Sequence, residues 1–266
     1  MKTKNNHKFK KKYGQNFLDD KELLEKIESV ISLDKDTSSV LEIGPGRGFL
    51  TGMLIDNSKS VTSYEIDDDL IPYLTNKFSS YTNFNLCHED FMKAKISGDH
   101  LKVIANIPYY ITSPILQKLI ENRDKIDEIY LMVQKEVAQR ICSNDDVSIL
   151  THSVNFFCKS EYLFTVNKEY FTPKPKVDSA FIKLSIRKSD KYEDKIDSKK
   201  YFNFLKLAFS NKRKTLVNNL KGYFDKDLLE TKINKNIRAE QLSIDDFISL
   251  IKELHYDWIW IHFKSR

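Results

Sequence analysis

Apolar residues in the first half of the chain follow two alternating patterns. Short apolar runs of strand length alternate with stretches in which apolar residues return every three or four positions, as on one face of a helix. The strand-like runs are 39–44, 60–67, 84–90, 101–107 and 128–134, and the helical stretches are 20–32, 49–55, 70–78 and 114–121. Because parallel strands need crossover connections, this alternation predicts an α/β fold with a mostly parallel sheet between helices.

The pattern changes in the second half of the chain. Two longer strand candidates, 154–166 and 176–186, flank a proline-containing segment, and we expect them to form an antiparallel pair at the sheet edge. A charged stretch at 187–200 follows, and helical periodicity then returns. We therefore predict one domain over residues 1–187 and a small helical domain over residues 188–266.

Composition excludes several classes of protein. A hydrophobic content of 41% with 7 Gly and 6 Pro is that of a folded globular chain. The three cysteines, Cys87, Cys142 and Cys158, lie far apart, which disfavours a disulfide framework and a zinc site and suits a reducing cytoplasm. Neither a membrane-spanning run nor the apolar core of a signal peptide is recognisable, so we expect a cytoplasmic protein without membrane association or a bound metal.

Positive charge is concentrated in two short segments. The net charge is +5, yet six lysines, among them Lys10, Lys11 and Lys12, precede the first acidic residue, Asp19. A second cluster is Lys212, Arg213 and Lys214. Such segments attract polyanions, but they are equally compatible with a solvated surface that only aids solubility.

A glycine-rich segment, "LEIGPGRGFLT" at 41–51, connects a predicted strand to a predicted helix. Glycine at such a turn lets the backbone approach a ligand closely. The spacing of Gly44, Gly46 and Gly48 is G-x-G-x-G, whereas dinucleotide-binding loops have G-x-G-x-x-G. This spacing is more typical of S-adenosylmethionine sites.

Two acidic residues stand at the ends of the next two strands. Glu65 is placed to accept hydrogen bonds from both ribose hydroxyls of a nucleoside. Asp90 is placed to accept a hydrogen bond from the adenine amino group. Taken singly, each acid could be a solvated loop residue. Together with the glycine loop they occupy successive carboxyl ends of parallel strands, where ligands of open α/β sheets bind.

The segment "ANIPYYITSPIL" at 105–116 ends the fourth strand with a polar residue and a proline. Pro108 has no N–H to donate, so the segment could simply terminate the strand. In a methyltransferase, however, the side-chain oxygen of Asn106 and the main-chain carbonyl of Ile107 could accept both protons of an exocyclic amine, while Tyr109 stacks on the base. Pro108 would fix this loop. Methyl transfer would then be accelerated mainly by holding the nitrogen, the methyl carbon and the sulfur in line. No strong base is needed, because the proton can leave after the transfer.

Seven motifs follow one another over nearly the whole chain. They are "YGQNFL" (13–18), "EIGPGRGFLT" (42–51), "EID" (65–67), "NIPYYITSPIL" (106–116), "MVQKEVAQRI" (132–141), "FTPKPKVDSAFIKL" (171–184) and "AFSNKRKTLVNNL" (208–220). In this order they resemble the bacterial small-subunit ribosomal RNA adenine dimethyltransferases. The resemblance implies a Rossmann-like S-adenosylmethionine-dependent catalytic domain with a basic N-terminal arm at 1–187, and a helical RNA-binding domain at 188–266.

The resemblance also implies an activity. It is transfer of two methyl groups from S-adenosylmethionine to N6 of each of two adjacent adenines, in the hairpin near the 3′ end of 16S ribosomal RNA. The implied partner is the assembling 30S subunit, late in its biogenesis, and the implied form is a cytoplasmic monomer.

Particular residues take roles from the same resemblance. Phe171 would face the target base opposite Tyr109, although a core aromatic is the alternative. The implied cofactor contacts are Asn16, Leu18, Gly44, Gly46, Glu65, Asp90 and Asn106. The implied RNA contacts are Lys10, Lys11 and Lys12 in the arm and Lys212, Arg213 and Lys214 on a basic helix.

Two departures and several rival functions remain. The loop at 142–150 is shorter than in relatives, and the final segment "WIWIHFKSR" matches no motif. A macrolide-resistance enzyme acting on 23S ribosomal RNA shares the cofactor loop, but "AFSNKRKTLVNNL" and the tail at 238–254 favour the small-subunit type. A DNA adenine methylase would more commonly show Pro-Pro-Tyr. Asn106, Pro108, Tyr109 and Glu65 disfavour a ribosome-assembly or transcription factor that has lost catalysis. They leave open a dual role as an assembly factor whose binding rather than catalysis is essential.

Overall fold

The computed structural model describes residues 16–143, 147–188 and 191–256. The chain forms two compact units. The first contains the described residues up to Ala138 together with Ser160–Ile186, and the second contains Gln139–Lys159 and the described residues from Arg187 onward. The second unit thus takes in residues 139–159, which lie before the predicted boundary at 187/188.

Within the described residues, nine strands form a large sheet and a small one. Their bounds are β1 Phe17–Leu18, β2 Ser39–Ile43, β3 Ser60–Glu65, β4 Phe84–His88, β5 Leu101–Asn106, β6 Ile126–Gln134, β7 Cys158–Val166, β8 Phe171–Thr172 and β9 Ser179–Ile186. The large sheet has the order β4-β3-β2-β5-β6-β9-β7, and β1 pairs separately with β8. Neighbouring strands from β4 to β6 are parallel, while β9 runs antiparallel to β6. The predicted mostly parallel sheet with an antiparallel edge is therefore confirmed.

Helices connect the parallel strands and build the second unit. Their bounds are α1 Lys21–Val30, α2 Thr51–Asp56, α3 Ile71–Lys77, α4 Thr112–Glu121, α5 Lys135–Ser143, α6 Ile149–Phe157, α7 Ser198–Ala208, α8 Leu216–Leu220, α9 Lys226–Lys232 and α10 Ile244–Glu253. Several begin at side-chain caps, which satisfy backbone N–H groups of the first turn. Asp20 caps α1 and Ser243 caps α10 in this way. Among the described residues, no helix has the length and apolar character needed to cross a bilayer.

One predicted strand was too long. Residues 154–157 belong to helix α6, and the strand begins only at Cys158. The side chain of Ser148 accepts a hydrogen bond from the Thr151 backbone and starts the helix. A short apolar run such as "VNFF" fits a buried helix as well as a strand, so periodicity could not distinguish them.

The central strands are apolar on both faces. In β5, Val103, Ile104 and Ala105 are fully buried, and Leu131 and Met132 are fully buried in β6. Strands covered by helices on both sides need such continuous apolar runs. The parallel register brings the carboxyl ends of β2, β3, β4 and β5 to one edge of the sheet, and that edge carries the candidate site.

Candidate active site

A cavity of about 400 Å³ lies in the first unit, at the carboxyl ends of the parallel strands. Its size is within the usual range for small-molecule sites. Ten of the residues predicted from the sequence line it, namely Asn16, Leu18, Gly44, Gly46, Glu65, Asp90, Asn106, Ile107, Pro108 and Tyr109. Segments far apart in the chain therefore meet at one site.

The glycines of the loop after β2 serve different purposes. Gly44 has φ +67°, a left-handed conformation that favours glycine, and a Cβ there would meet nothing within 4 Å. Its backbone is therefore open on that side, where a ligand could approach closely. Gly48, with φ +74°, faces the Phe78 ring, which a Cβ would approach to 2.7 Å. Gly48 is thus needed for packing of the loop on Phe78.

The carboxylate of Glu65 connects two of the loops around the cavity. One oxygen accepts hydrogen bonds from the backbone N–H groups of Ile66 and Asp67, both at 2.9 Å, and the other accepts from Gly46 at 3.2 Å. Burial raises the pKa of Glu65, and the three N–H donors oppose that shift. A carboxylate has about four acceptor positions, so capacity remains for a ligand hydroxyl.

Glu42 is a second buried acid at the cavity, and no motif in the sequence indicates a role for it. Ser63 donates to one of its oxygens at 2.6 Å, and the Thr51 hydroxyl lies 2.9 and 3.0 Å from the two oxygens. Burial raises the pKa of Glu42 to about 7. The only signal in the sequence is an acid inside an otherwise apolar strand, "LEIG".

The turn after β4 brings apolar side chains to the cavity beside Asp90. One oxygen of the Asp90 carboxylate accepts a hydrogen bond from the Met92 backbone at 2.9 Å. Phe91 is buried and lies edge-on to Tyr64, with 5.6 Å between the ring centroids. Phe91, Met92 and Tyr64 line the cavity. An acid acceptor with apolar neighbours is suited to an aromatic ring that carries an amino group.

The Asn106 amide has one atom committed to the protein. Its nitrogen donates to the main-chain carbonyl of Asn16 at 3.2 Å, so the side-chain oxygen is the atom available as an acceptor for a ligand. Tyr109 is half-buried, and its hydroxyl makes a 2.6 Å hydrogen bond with the Ser179 hydroxyl. Burial raises the pKa of Tyr109, so it remains a neutral phenol. Tyr110 was not among the site residues predicted from the sequence, but it lines the cavity and is 61% exposed.

The segment before α1 crosses the glycine loop. The Phe17 ring lies 5.0 Å from the Arg47 guanidinium, and a Cβ at Gly46 would come within 3.0 Å of the same ring. Leu18 pairs with Phe171 in the short sheet of β1 and β8. Asn16 and Leu18 thus line the cavity, and their contact with a cofactor stays a prediction.

The structure corrects the expected position of Phe171. Its side chain is only 3% exposed and lies in a core cluster with Leu18, so it does not line the cavity. A ring enclosed in this way has no open face for a base. The alternative of a core aromatic describes Phe171 in this conformation.

The basic cluster of the second unit is exposed, but it is not helical. Lys212, Arg213 and Lys214 lie in a turn between α7 and α8, which corrects the expected basic helix. Asn211 accepts a hydrogen bond from the Arg213 backbone at 3.1 Å, and Asn219 donates to the Asn211 carbonyl at 3.1 Å. These contacts favour a turn over a continued helix. The arm residues Lys10, Lys11 and Lys12 and the segment "WIWIHFKSR" lie outside the described residues.

Comparison with known proteins gives consistent results. Residues 6–256 match the family model described as ribosomal RNA adenine dimethylase. The chain is 50% identical over 257 residues to a ribosomal RNA small subunit methyltransferase A of Fusobacterium nucleatum. This alignment covers 92% of this chain and 97% of the relative. It is 44% identical over 254 residues to the protein of the same name in Mycoplasmopsis pulmonis, covering 92% and 98%.

Two solved structures have a similar fold along most of the chain. A dimethyladenosine transferase from Plasmodium falciparum has a TM-score of 0.73 at 31% identity, covering 90% of this chain and 97% of that one. The 23S rRNA methyltransferase ErmE has a TM-score of 0.74 at 26% identity, covering 91% and 100%. The shared fold thus extends beyond the cavity.

Proposed function

The chain belongs to the ribosomal RNA adenine dimethylase family, and from this membership we propose that it methylates N6 of two adjacent adenines in the 3′-terminal hairpin of 16S ribosomal RNA. Relatives named for the small ribosomal subunit are 50% and 44% identical to it, whereas ErmE, named for 23S rRNA, is 26% identical. These values favour the small-subunit substrate. We further propose that the protein acts as a monomer on the assembling 30S subunit in the cytoplasm.

The residues around the cavity fit S-adenosylmethionine. That cofactor supplies an electrophilic methyl group on a positively charged sulfur. Two buried acids at the cavity, Glu42 and Glu65, suit a cationic ligand, because each carboxylate is costly to bury without a positive charge nearby. We propose that Glu65 accepts hydrogen bonds from the ribose hydroxyls and that Asp90 accepts one from the adenine amino group. The open backbone at Gly44 then lies against the ligand.

The loop after β5 provides the groups for the target amine. The Asn106 side-chain oxygen and the Ile107 carbonyl accept the two protons of adenine N6, which localises the nitrogen lone pair. The hydrogen bond from the Asn106 side-chain nitrogen to the Asn16 carbonyl orients the amide so that its oxygen faces the target amine. Acceptors fixed in advance stabilise the charge that develops on nitrogen, an effect worth about 3 to 4 kcal/mol per group in comparable sites. Tyr109 stacks on the base, and Ser179 holds its hydroxyl.

One observation carries the proposal. The acceptor residues Asn106 and Ile107 share a single cavity with Gly44, Glu65 and Asp90. A nucleoside cofactor and a second, amine-bearing ring could therefore meet there.

Contacts with RNA are assigned to the two basic clusters. Lys212, Arg213 and Lys214 are exposed and can bind phosphates, as can Lys10, Lys11 and Lys12. Phosphate contacts position an enzyme on RNA without reading its sequence. A flipped adenine stacked on Tyr109 would then gain about 1 to 3 kcal/mol, which partly offsets its unstacking.

Tritium transfer from S-adenosylmethionine tests this function. Small and large ribosomal subunits are purified from a strain that lacks endogenous adenine dimethylation, and each is incubated with the protein. We expect label only in small-subunit RNA, in dimethyladenosine at two adjacent positions of the 3′-terminal hairpin. Label confined to large-subunit RNA would overturn the substrate assignment.

A further inference from the structure

The turn after β4 holds the proposed adenine acceptor, and a lysine from another element binds the backbone of this turn. Within the turn, the Asp90 carbonyl accepts hydrogen bonds from the backbones of Lys93 and Ala94, at 2.8 and 3.1 Å. The carbonyls of Phe91 and Ala94 accept hydrogen bonds from the Lys118 ammonium, the first at 2.6 Å. Lys118 therefore connects both ends of the segment 91–94.

Lys118 is well placed for this role. It lies on α4, which begins six residues after Asn106, and its ammonium lies 4.9 Å from the centroid of the Phe91 ring. Burial lowers the pKa of Lys118, and the negative charges of Asp90 and Glu89 oppose that shift. The ammonium thus interacts electrostatically with Asp90 while it binds the turn that carries it. Lys118 does not itself line the cavity.

A second lysine makes the same type of contact farther along the same segment. Lys125 donates to the Ile96 carbonyl at 2.8 Å, and Ile96 is buried and does not line the cavity. Both lysines are partly buried and bind main-chain carbonyls. Lys125 is therefore a matched control, since it stabilises the chain after the turn without holding a residue of the site.

We propose that Lys118 is a positioning residue that sets selectivity for the adenine ring of the cofactor by holding the 90–94 turn. The inference rests on the proposed cofactor and adds a residue outside the cavity. Lys118→Met keeps an unbranched side chain up to the Cε position and removes the ammonium with both of its hydrogen bonds. The Asp90 carboxylate is then no longer fixed opposite the 6-amino group, so its contribution to binding is lost.

Calorimetric titration with two ligands tests this role on the full-length protein. One ligand is S-adenosylhomocysteine, and the other is S-inosylhomocysteine, in which an oxo group replaces the 6-amino group. We expect the wild type to prefer the adenine ligand by at least about tenfold, which corresponds to about 1.4 kcal/mol. Lys118→Met should weaken adenine-ligand binding by about tenfold and inosine-ligand binding by less than threefold, so the preference nearly disappears.

Control variants separate positioning from general stability. Lys125→Met should keep the wild-type preference, and Lys118→Arg should restore most of it, because a guanidinium can donate to both carbonyls. In transfer assays Lys118→Met should raise the KM for S-adenosylmethionine and leave kcat within about threefold. Lys118→Gln, which keeps a single donor group, replaces the methionine variant if that variant does not fold, and its preference should be intermediate.

The possible outcomes distinguish the two proposals. The role of Lys118 would be overturned if Lys118→Met kept the wild-type preference for the adenine ligand. It would also be overturned if the variant bound both ligands more weakly by the same factor. A wild-type protein that binds neither ligand would instead overturn the proposed cofactor.

Discussion

The two units bury polar groups in different surroundings. In the first unit, Glu42 and Glu65 are buried beside a cavity, and hydroxyl or backbone N–H groups donate to both. In the second unit, His152 is buried against the rings of Phe209 and Phe247. Its Nδ1 atom makes a 2.8 Å hydrogen bond with the Tyr201 hydroxyl, and its Nε2 atom has no partner.

A shifted pKa alone therefore does not mark a functional site. Burial raises the pKa of Glu42 to about 7 and lowers the pKa of His152 to about 4, so in both cases burial shifts the equilibrium towards the neutral form. At Glu42 an incoming cation could compensate the buried charge, because the acid faces a cavity. His152 lies among aromatic rings instead. We expect changes at the cavity to alter ligand binding and transfer, and changes at His152 to alter stability.

The largest effect is expected for a change at Asn106, which lines the cavity of the first unit. Asn106→Ala removes the amide oxygen that accepts an amine proton, and transfer should fall by about 100-fold or more. The midpoint of thermal unfolding should stay within about 3 °C of the wild type, since the residue is half-buried at the edge of the site. Single-turnover transfer and thermal unfolding, measured on the same preparation, check both parts. Loss of stability in proportion to activity would place Asn106 with the structural residues.

The next prediction concerns opposite responses to pH. Glu42 has a folded-state pKa of about 7 against an ordinary 4.5, so its contribution to stability is present below pH 4.5 and is lost as pH rises through 7. His152 has a folded-state pKa of about 4 against an ordinary 6.5, so its contribution is present above pH 6.5 and is lost as pH falls through 4. Each separation corresponds to about 3 kcal/mol.

Two variants expose these responses separately. Glu42→Gln should remove the loss of stability between pH 4.5 and 7. His152→Phe combined with Tyr201→Phe, which leaves no unpaired hydroxyl, should remove the loss between pH 6.5 and 4. Urea unfolding of both variants and the wild type from pH 4 to 8 measures the differences. If the free energy of unfolding changed with pH in the same way in all three proteins, the assignment of these responses to Glu42 and His152 would be wrong.

The smallest effect is expected at the exposed basic turn. Reversing Lys212 and Arg213 to Glu should weaken binding to small-subunit particles by about tenfold at moderate salt. The slope of log affinity against log salt should become shallower by about two, one for each lost phosphate contact. Lys199→Glu with Lys221→Glu is the control, because it makes the same charge change at exposed lysines of the same unit. Equal effects of the two pairs would indicate a general charge effect.

Much of the cavity could be predicted from local sequence. Gly44 and Asp90 follow strands of recognisable length, and Glu65 and Asn106 are the last residues of two others. The carboxyl ends of parallel strands meet at one edge. The apolar strands themselves are clear because both faces of the sheet are covered.

The remaining features depend on contacts between distant segments. Ser179 was missed because its partner, Tyr109, is 70 residues away in the chain. Phe171 was expected to face a base, but it is buried in a core cluster with Leu18, its partner in the β1–β8 pair. Lys118 carries no motif, and its role is visible only once the Phe91 carbonyl lies beside it.

A crystal structure with S-adenosylhomocysteine would show whether one cavity holds the cofactor and presents the Asn106 oxygen to the target amine. The prediction is that the ribose hydroxyls lie within hydrogen-bond distance of Glu65 and the adenine amino group within that distance of Asp90. The Asn106 oxygen should face the sulfur. A ligand bound elsewhere, or an Asn106 side chain turned away from the ligand, would contradict the account.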